Sequence, residues 1–419
     1  GVRIPTKGME ILAGLTHKYG IPVTWLTDAT TGKLMQKEIN QWHEEFGDDV
    51  AMISGTAVQR DSLKILFPWS AVNVMSSDHT EKEPAIAQSL GTKGIWGSCW
   101  EQEGLDGITD RGAPWGLYYT SAENYKVPAL SGKGPISLEW TSRDLLKALH
   151  SGRASIYSSD PNDVLRSKIC NADDIRYLKA LFDNYIRNIR HNKFVFFQQQ
   201  QESHEMQYDG VLFKVYPQDV IDESIAVLDQ FFAYVKTYGD LVKYKTLPEA
   251  IAIYEENFEE TEPALMLVDD FPINPIPFWY GRENGVTGPW PQTLLYYDKS
   301  GQFAFVKDRF DPILLRDYVH NRSFIDRAYY QVPYVDHPNL KVEVPWEDIP
   351  LDEVLIKIDA PKAIPYAVAF WYDLKNYRIT NVDGARLMGI AEDQVALLRL
   401  DLKKGKNNIV VHLEPKTKN

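Results

Sequence analysis

Cysteine is nearly absent: Cys99 and Cys170 are the only two in 419 residues. Two thiols allow one bridge at most, which excludes a disulfide scaffold and a cysteine-built zinc knuckle. Long apolar runs are missing as well, and no stretch of about 20 apolar residues exists to span a bilayer. Basic residues are in deficit, 45 against 58 acidic, and the formal net charge of -13 comes with no long basic block. A surface of that sign repels nucleic-acid phosphates, so no nucleic-acid partner is expected. Neither His-x-x-x-His nor His-Glu-x-x-His occurs among the nine histidines. The chain therefore has no histidine pair one helical turn apart to grip zinc. These absences lead to the expectation of a non-membrane, cytoplasmic protein. The start GVRIPTKG reads as neither a signal peptide nor a methionine start, which fits a chain beginning after processing or after further residues.

What is present is ordinary in bulk and unusual in detail. The hydrophobic fraction is 44% and the charged fraction 25%, as in globular proteins, and the length exceeds what one core normally supports, so two domains are expected. Aromatic residues are plentiful, with 11 Trp and 23 Tyr, many in segments that also hold glycine, proline and polar residues. Flat rings with a polar edge suit sugar faces, and they suit interdomain packing equally well. An oligosaccharide or polysaccharide is the partner class expected where the rings serve binding rather than packing.

Periodicity then divides the chain. Residues 8–20 carry apolar positions at 11, 12, 15 and 19 and end at Gly20, which predicts a short capped helix. Strand-like runs follow at 21–27, 50–53, 71–75, 94–97, 136–139, 154–157 and 194–197. Helical patterns cover 34–46, 141–150, 172–190, 217–236 and 248–257. This βα alternation predicts an α/β fold, a distorted (β/α)7-type barrel over residues 1–260. Beyond that the character changes to short β-like runs, including a hairpin at 294–306 and strands at 353–358, 365–371, 395–400 and 408–413. Residues 261–419 are therefore expected to form a mostly β, sandwich-like accessory domain.

In parallel α/β folds the carboxyl ends of the strands share one face, and ligands bind there. Asp28, Asp78, His79, Glu101, Glu103, Asp160, Gln198, Gln200 and His204 all follow or terminate apolar runs. Asp78 and His79 supply an acid and a ring nitrogen after one strand, a candidate metal pair. In WGSCWEQEG, Glu101 and Glu103 are two residues apart and share a face if extended, and mutual repulsion raises one pKa, as a general acid requires. Trp96, Trp100, Trp115 and Tyr118 are candidate stacking rings, and Arg111 is a candidate for a substrate anion. Cys99 has no histidine near it in sequence, so burial as a small apolar residue explains it better than nucleophilic use. The run FFQQQQESHE, residues 196–205, turns from aromatic to amide, acid and imidazole. Glu202 and His204 lie on one face there if extended, and Gln198 and Gln200 offer neutral donors and acceptors suited to hydroxyls.

The opening GVRIPTKGMEILAGLTHKYGIPVTWLTD resembles the start of the polysaccharide deacetylase-like superfamily, and YGDLVKYKTLPEAIAIYEENF resembles its closing element. The resemblance covers about residues 1–257 and implies a distorted seven-stranded (β/α) barrel. Classical members hold a metal through a first-strand aspartate and a His-x-x-x-His after the third strand. The equivalent segment here, MISGTA, has no histidine. The chain also resembles family 57 glycosidases, which implies a nucleophile position at Glu101 with Asp160, Glu202 or Asp209 as partner. A carboxylate separation of about 5 Å implies retention and a wider one inversion. The expectation is a carbohydrate hydrolase with paired carboxylates. Its alternatives are a zinc-dependent deacetylase using Asp78, His79 and His204, and a non-catalytic carbohydrate-binding protein.

Overall fold

The computed structural model describes residues 4–77, 82–97, 117–120, 129, 133–138, 141–142, 165, 170–190, 192–262, 266–268, 296–297, 303–306, 341–343, 352–360, 363–371, 374, 377–391 and 395–417. It contains a mixed α/β N-terminal domain and a separate, more β C-terminal domain. No helix among the described residues is long and apolar enough to cross a membrane.

The first domain opens with α1, Thr6–His17, whose buried positions Gly8, Met9, Leu12, Ala13 and Leu15 follow the helical period. It leads to β1, Thr24–Thr27, then α2, Ala29–Leu34, and α3, Gln36–Phe46. Gly47 ends α3 with φ of 82°, a left-handed turn that glycine enters without steric cost. Next come β2 (Asp49–Met52), α4 (Ala57–Leu66), β3 (Val74–Ser76), α5 (Glu83–Leu90), β4 (Gly94–Trp96), β5 (Tyr118–Tyr119) and β6 (Ile136–Leu138). The last helices are α6 (Arg176–Arg187), α7 (Gln218–Lys236) and α8 (Leu247–Asn257). Thr246 and Glu249 cap α8 reciprocally, with Pro248 in its first turn.

The strands form one sheet in the order β1-β2-β3-β4-β6-β5. Every neighbour pair from β1 to β6 is parallel, and β5 runs antiparallel on the edge. Strands β4 and β6 are buried throughout, as expected of a parallel sheet covered on both faces. No ladder joins β1 to β5 among the described residues, so the described sheet is open.

The run 194–197, expected as a strand, joins no ladder among the described residues. Its side chains nevertheless alternate as a strand's would. Phe194 and Phe196 pack on the cluster around Trp96, Ile136, Leu138 and Tyr254, while Phe197 packs edge-on against Phe182 and Tyr185 of α6. Packing on two sides explains the period of two without any sheet pairing. The expected strand at 154–157 and the expected helix from 143 onward lie outside the described residues.

In the C-terminal domain, β7 (Met266–Val268), β8 (Tyr296–Tyr297) and β9 (Phe303–Val306) form a small sheet that contains the expected hairpin. The remaining strands are β10 (Lys341–Glu343), β11 (Glu353–Ala360), β12 (Ile364–Trp371), β13 (Tyr377–Asp383), β14 (Arg386–Ala391), β15 (Val395–Leu402) and β16 (Gly405–Pro415). They divide into a sheet β10-β11-β16-β13 and a sheet β12-β15-β14. The chain thus changes sheets between β15 and β16 rather than pairing them. Alternate residues Val354, Ile356 and Ile358 of β11, Leu398 and Leu400 of β15, and Ile409 and Val411 of β16 are all buried.

One polar group sits at the amino edge of the N-terminal sheet. The Asp48 side chain is fully buried and accepts from the backbone N–H of Val23 at 2.9 Å and from Trp25 Nε1 at 2.7 Å. The His17 Nε2 lies 2.9 Å and 3.1 Å from its two oxygens, and His43 Nδ1 donates to its carbonyl at 2.7 Å. A buried carboxylate is tolerated only when its oxygens are satisfied, and here three donors meet it. Replacing Asp48 with alanine strands those donors and is expected to destabilise the fold by about 3–5 kcal/mol. Asp48→Asn, which keeps one acceptor, is expected to cost less, and urea unfolding of both variants measures the difference.

Candidate functional site

Because β1, β2, β3, β4 and β6 are parallel, their carboxyl ends share one edge. The ladder continues a step further there: Ser77 N–H donates to the Trp96 carbonyl at 2.7 Å, and Gly97 N–H donates to that of Leu138 at 3.0 Å. Beyond β6 lie Thr141 and Ser142, both buried. Ser142 N–H donates to the Gln198 carbonyl at 2.9 Å, and its hydroxyl accepts from Gln198 N–H at 2.9 Å. The Thr141 hydroxyl accepts from Gln200 N–H at 3.4 Å. The glutamine run is therefore fastened to the carboxyl end of β6, on the edge where ligands bind in open α/β sheets.

The run ends in a 3-10 turn, Ser203–Met206, closed by Glu205 N–H donating to the Glu202 carbonyl at 3.1 Å. Met206 is fully buried and holds the turn down. Gly8 sets its seat, because a Cβ at that position would overlap the Ser203 carbonyl oxygen. Gly8 N–H also donates to Gln207 Oε1 at 3.3 Å. The turn projects Glu202, His204 and Glu205 together, and one ligand atom from each lies within 4.8 Å of the others. His204 Nδ1 is 3.1 Å from Glu202 Oε2, with the two side chains 43% and 40% exposed. Gln201 Nε2 donates to Glu205 Oε2 at 3.2 Å. This cluster can coordinate a divalent metal.

Other candidates fall in different places. Asp28 ends β1 and caps α2, its Oδ1 accepting from Thr31 N–H at 2.7 Å. Gln198 is buried and Gln200 is half-buried. Trp96 and Tyr118 are 8% and 1% exposed. Tyr118 packs into the larger buried cluster and Trp96 into the smaller one. Asp78, His79, Trp100, Glu101, Glu103, Arg111, Trp115 and Asp160 lie outside the described residues, as does Cys99. Cys170 is buried, and desolvation, followed by the charges of Asp174 and Glu223, pushes its thiol up to about 12. A thiol held neutral in this way is no nucleophile.

Sequence reasoning places Glu205 in the cluster but gives it no role beside Glu202 and His204, and it does not single out Gly8 as the support. An extended chain pairs i with i+2, whereas a 3-10 turn also brings i+3 into reach. Comparison with protein-family models, with curated proteins and with solved structures finds no match.

The seat of the turn is directly testable. A glycine within a helix normally gains about 1 kcal/mol on change to alanine. Gly8→Ala is expected to do the opposite, losing about 1–3 kcal/mol through overpacking against Ser203. Thermal and urea denaturation read the sign.

Proposed function

We propose that this chain is a hydrolase acting on a carbohydrate, bound at the carboxyl edge of the N-terminal sheet. The observation that carries the reading is the Glu202–His204 pair, 3.1 Å apart and half-exposed, next to a glutamine run whose backbone is fastened to Thr141 and Ser142 beyond β6. A carboxylate beside an imidazole orients the ring and fixes which nitrogen faces the acid, which suits the pair to proton transfer at a departing oxygen. In this reading Glu101 and Glu103 supply the paired carboxylates: one protonates the leaving oxygen, and the other attacks the sugar carbon or activates water. The finer architecture would be a distorted (β/α)7-type barrel of the deacetylase-like kind. Leu247 N–H donates to Thr24 Oγ1 at 2.8 Å, so the segment before α8 returns to β1, which supports that reading.

A second reading, zinc-dependent deacetylation with Asp78, His79 and His204 as ligands, is favoured by the presence of His204 with an adjoining acid on that same edge. Nitrophenyl glycosides, unmodified oligosaccharides and acetylated oligosaccharides separate the two. Glycoside cleavage that falls about 10²-fold or more in Glu101→Gln supports the leading reading. Acetate release abolished by chelation supports the second. Sugar binding without turnover of any substrate would overturn both and leave a binding protein.

A further inference from the structure

We propose that Glu202, His204 and Glu205 bind one divalent first-row cation, zinc in the first instance, through the 3-10 turn that carries them. Their ligand atoms lie within 4.8 Å of one another. Ligands around an ion at bonds of about 2.0–2.2 Å stand roughly 3–4 Å apart. The His204 Nδ1 to Glu202 Oε2 separation of 3.1 Å already has that spacing. The backbone beneath the set is held by buried Met206 and by the close approach of Gly8 to Ser203, so closing the remaining separations falls to the side chains.

The donor set selects the ion. Calcium takes 6–8 oxygen ligands and magnesium prefers oxygen and retained water, so an imidazole between two carboxylates suits neither. Two oxygens and one nitrogen match the zinc sites in which three protein ligands leave a position for water. The half-exposure of Glu202 and His204 leaves that position open to solvent. A neutral oxygen lies close by: Gln201, whose Nε2 bonds Glu205, has its Oε1 buried with no hydrogen-bond partner. A buried acceptor left unpaired costs about 1–3 kcal/mol, and a cation or its bound water would relieve that cost.

The assignment gives Glu202 and His204 a role other than the proton transfer proposed above, and it is tested apart from that reading, since cation binding is read with no substrate present. Equilibrium dialysis of the chelator-treated full chain against zinc is expected to give one equivalent bound. His204→Ala and Glu202→Gln are each expected to weaken binding at least about tenfold. His412→Ala is the control, because His412 pairs with Asp383 at 2.8 Å in the other domain, and it is expected to leave affinity unchanged. Manganese bound to the wild-type chain is expected to show nitrogen coupling from one imidazole in pulsed electron paramagnetic resonance. Glu202→Gln provides the second variant if His204→Ala fails to fold. Absence of stoichiometric binding, or one equivalent bound with unchanged affinity in the ligand variants that fold, would overturn the assignment.

Discussion

The buried carboxylate of Asp48 is the constraint on which the N-terminal domain depends. Its oxygens gather the end of α1 through His17 and the start of β1 through Val23 and Trp25, while its carbonyl takes α3 through His43. Aromatic rings seal the group from water: His17 stacks on Phe46 at 3.9 Å and His43 on Trp69 at 3.7 Å. In so enclosed a place each hydrogen bond is stronger than in water, and each missing one is more costly. The network ties the start of β1 to the residue that leads into β2, the strand it pairs with in parallel.

The two edges of the sheet thus have separate tasks. The amino edge is closed by Asp48 and its donors, while the carboxyl edge collects Asp28, the glutamine run and the Glu202–His204–Glu205 turn. Helix α1 serves both, with His17 of its last turn on the Asp48 carboxylate and Gly8 of its first turn against Ser203. Tyr19 and Lys18, just beyond it, bond Asp229 of α7 at 2.9 Å and 2.6 Å. The hydrogen bond from Lys18 holds that carboxyl below its ordinary range, against the opposing effect of desolvation and with help from Tyr19. Helix α1 and the two residues after it therefore touch the sheet, α7 and the candidate site.

Much of the fold was legible because it follows periodicity. Helices α3, α7 and α8 and strands β11, β12, β15 and β16 lie close to where apolar spacing places them. What periodicity does not carry is partnership. The 194–197 run alternates because Phe194, Phe196 and Phe197 pack on two sides, not because a neighbouring strand pairs with it. Strands β15 and β16 follow one another closely in sequence, yet each is bonded within a different sheet. Asp48 reads as an acid after a helix-ending glycine, and its three donors come from positions 17, 23 and 25, too scattered to form a motif. At the site, Glu202 and His204 stood out as an acid and an imidazole after an apolar run. Glu205 and Gly8 did not, since one needs the turn geometry and the other a contact nearly two hundred residues away.

That contact has a consequence for how the protein comes into being. Gly8 and Gln207 are 199 residues apart, and closing a loop of that length costs on the order of 5 kcal/mol of chain entropy. Contacts so distant in sequence form late in folding and slow it. A ribosome must deliver everything up to Gln207 before the first helix can receive the turn, so the turn is seated only when the domain is nearly complete. Binding capacity at this turn would report the completion of folding, and an unfinished chain would stay silent.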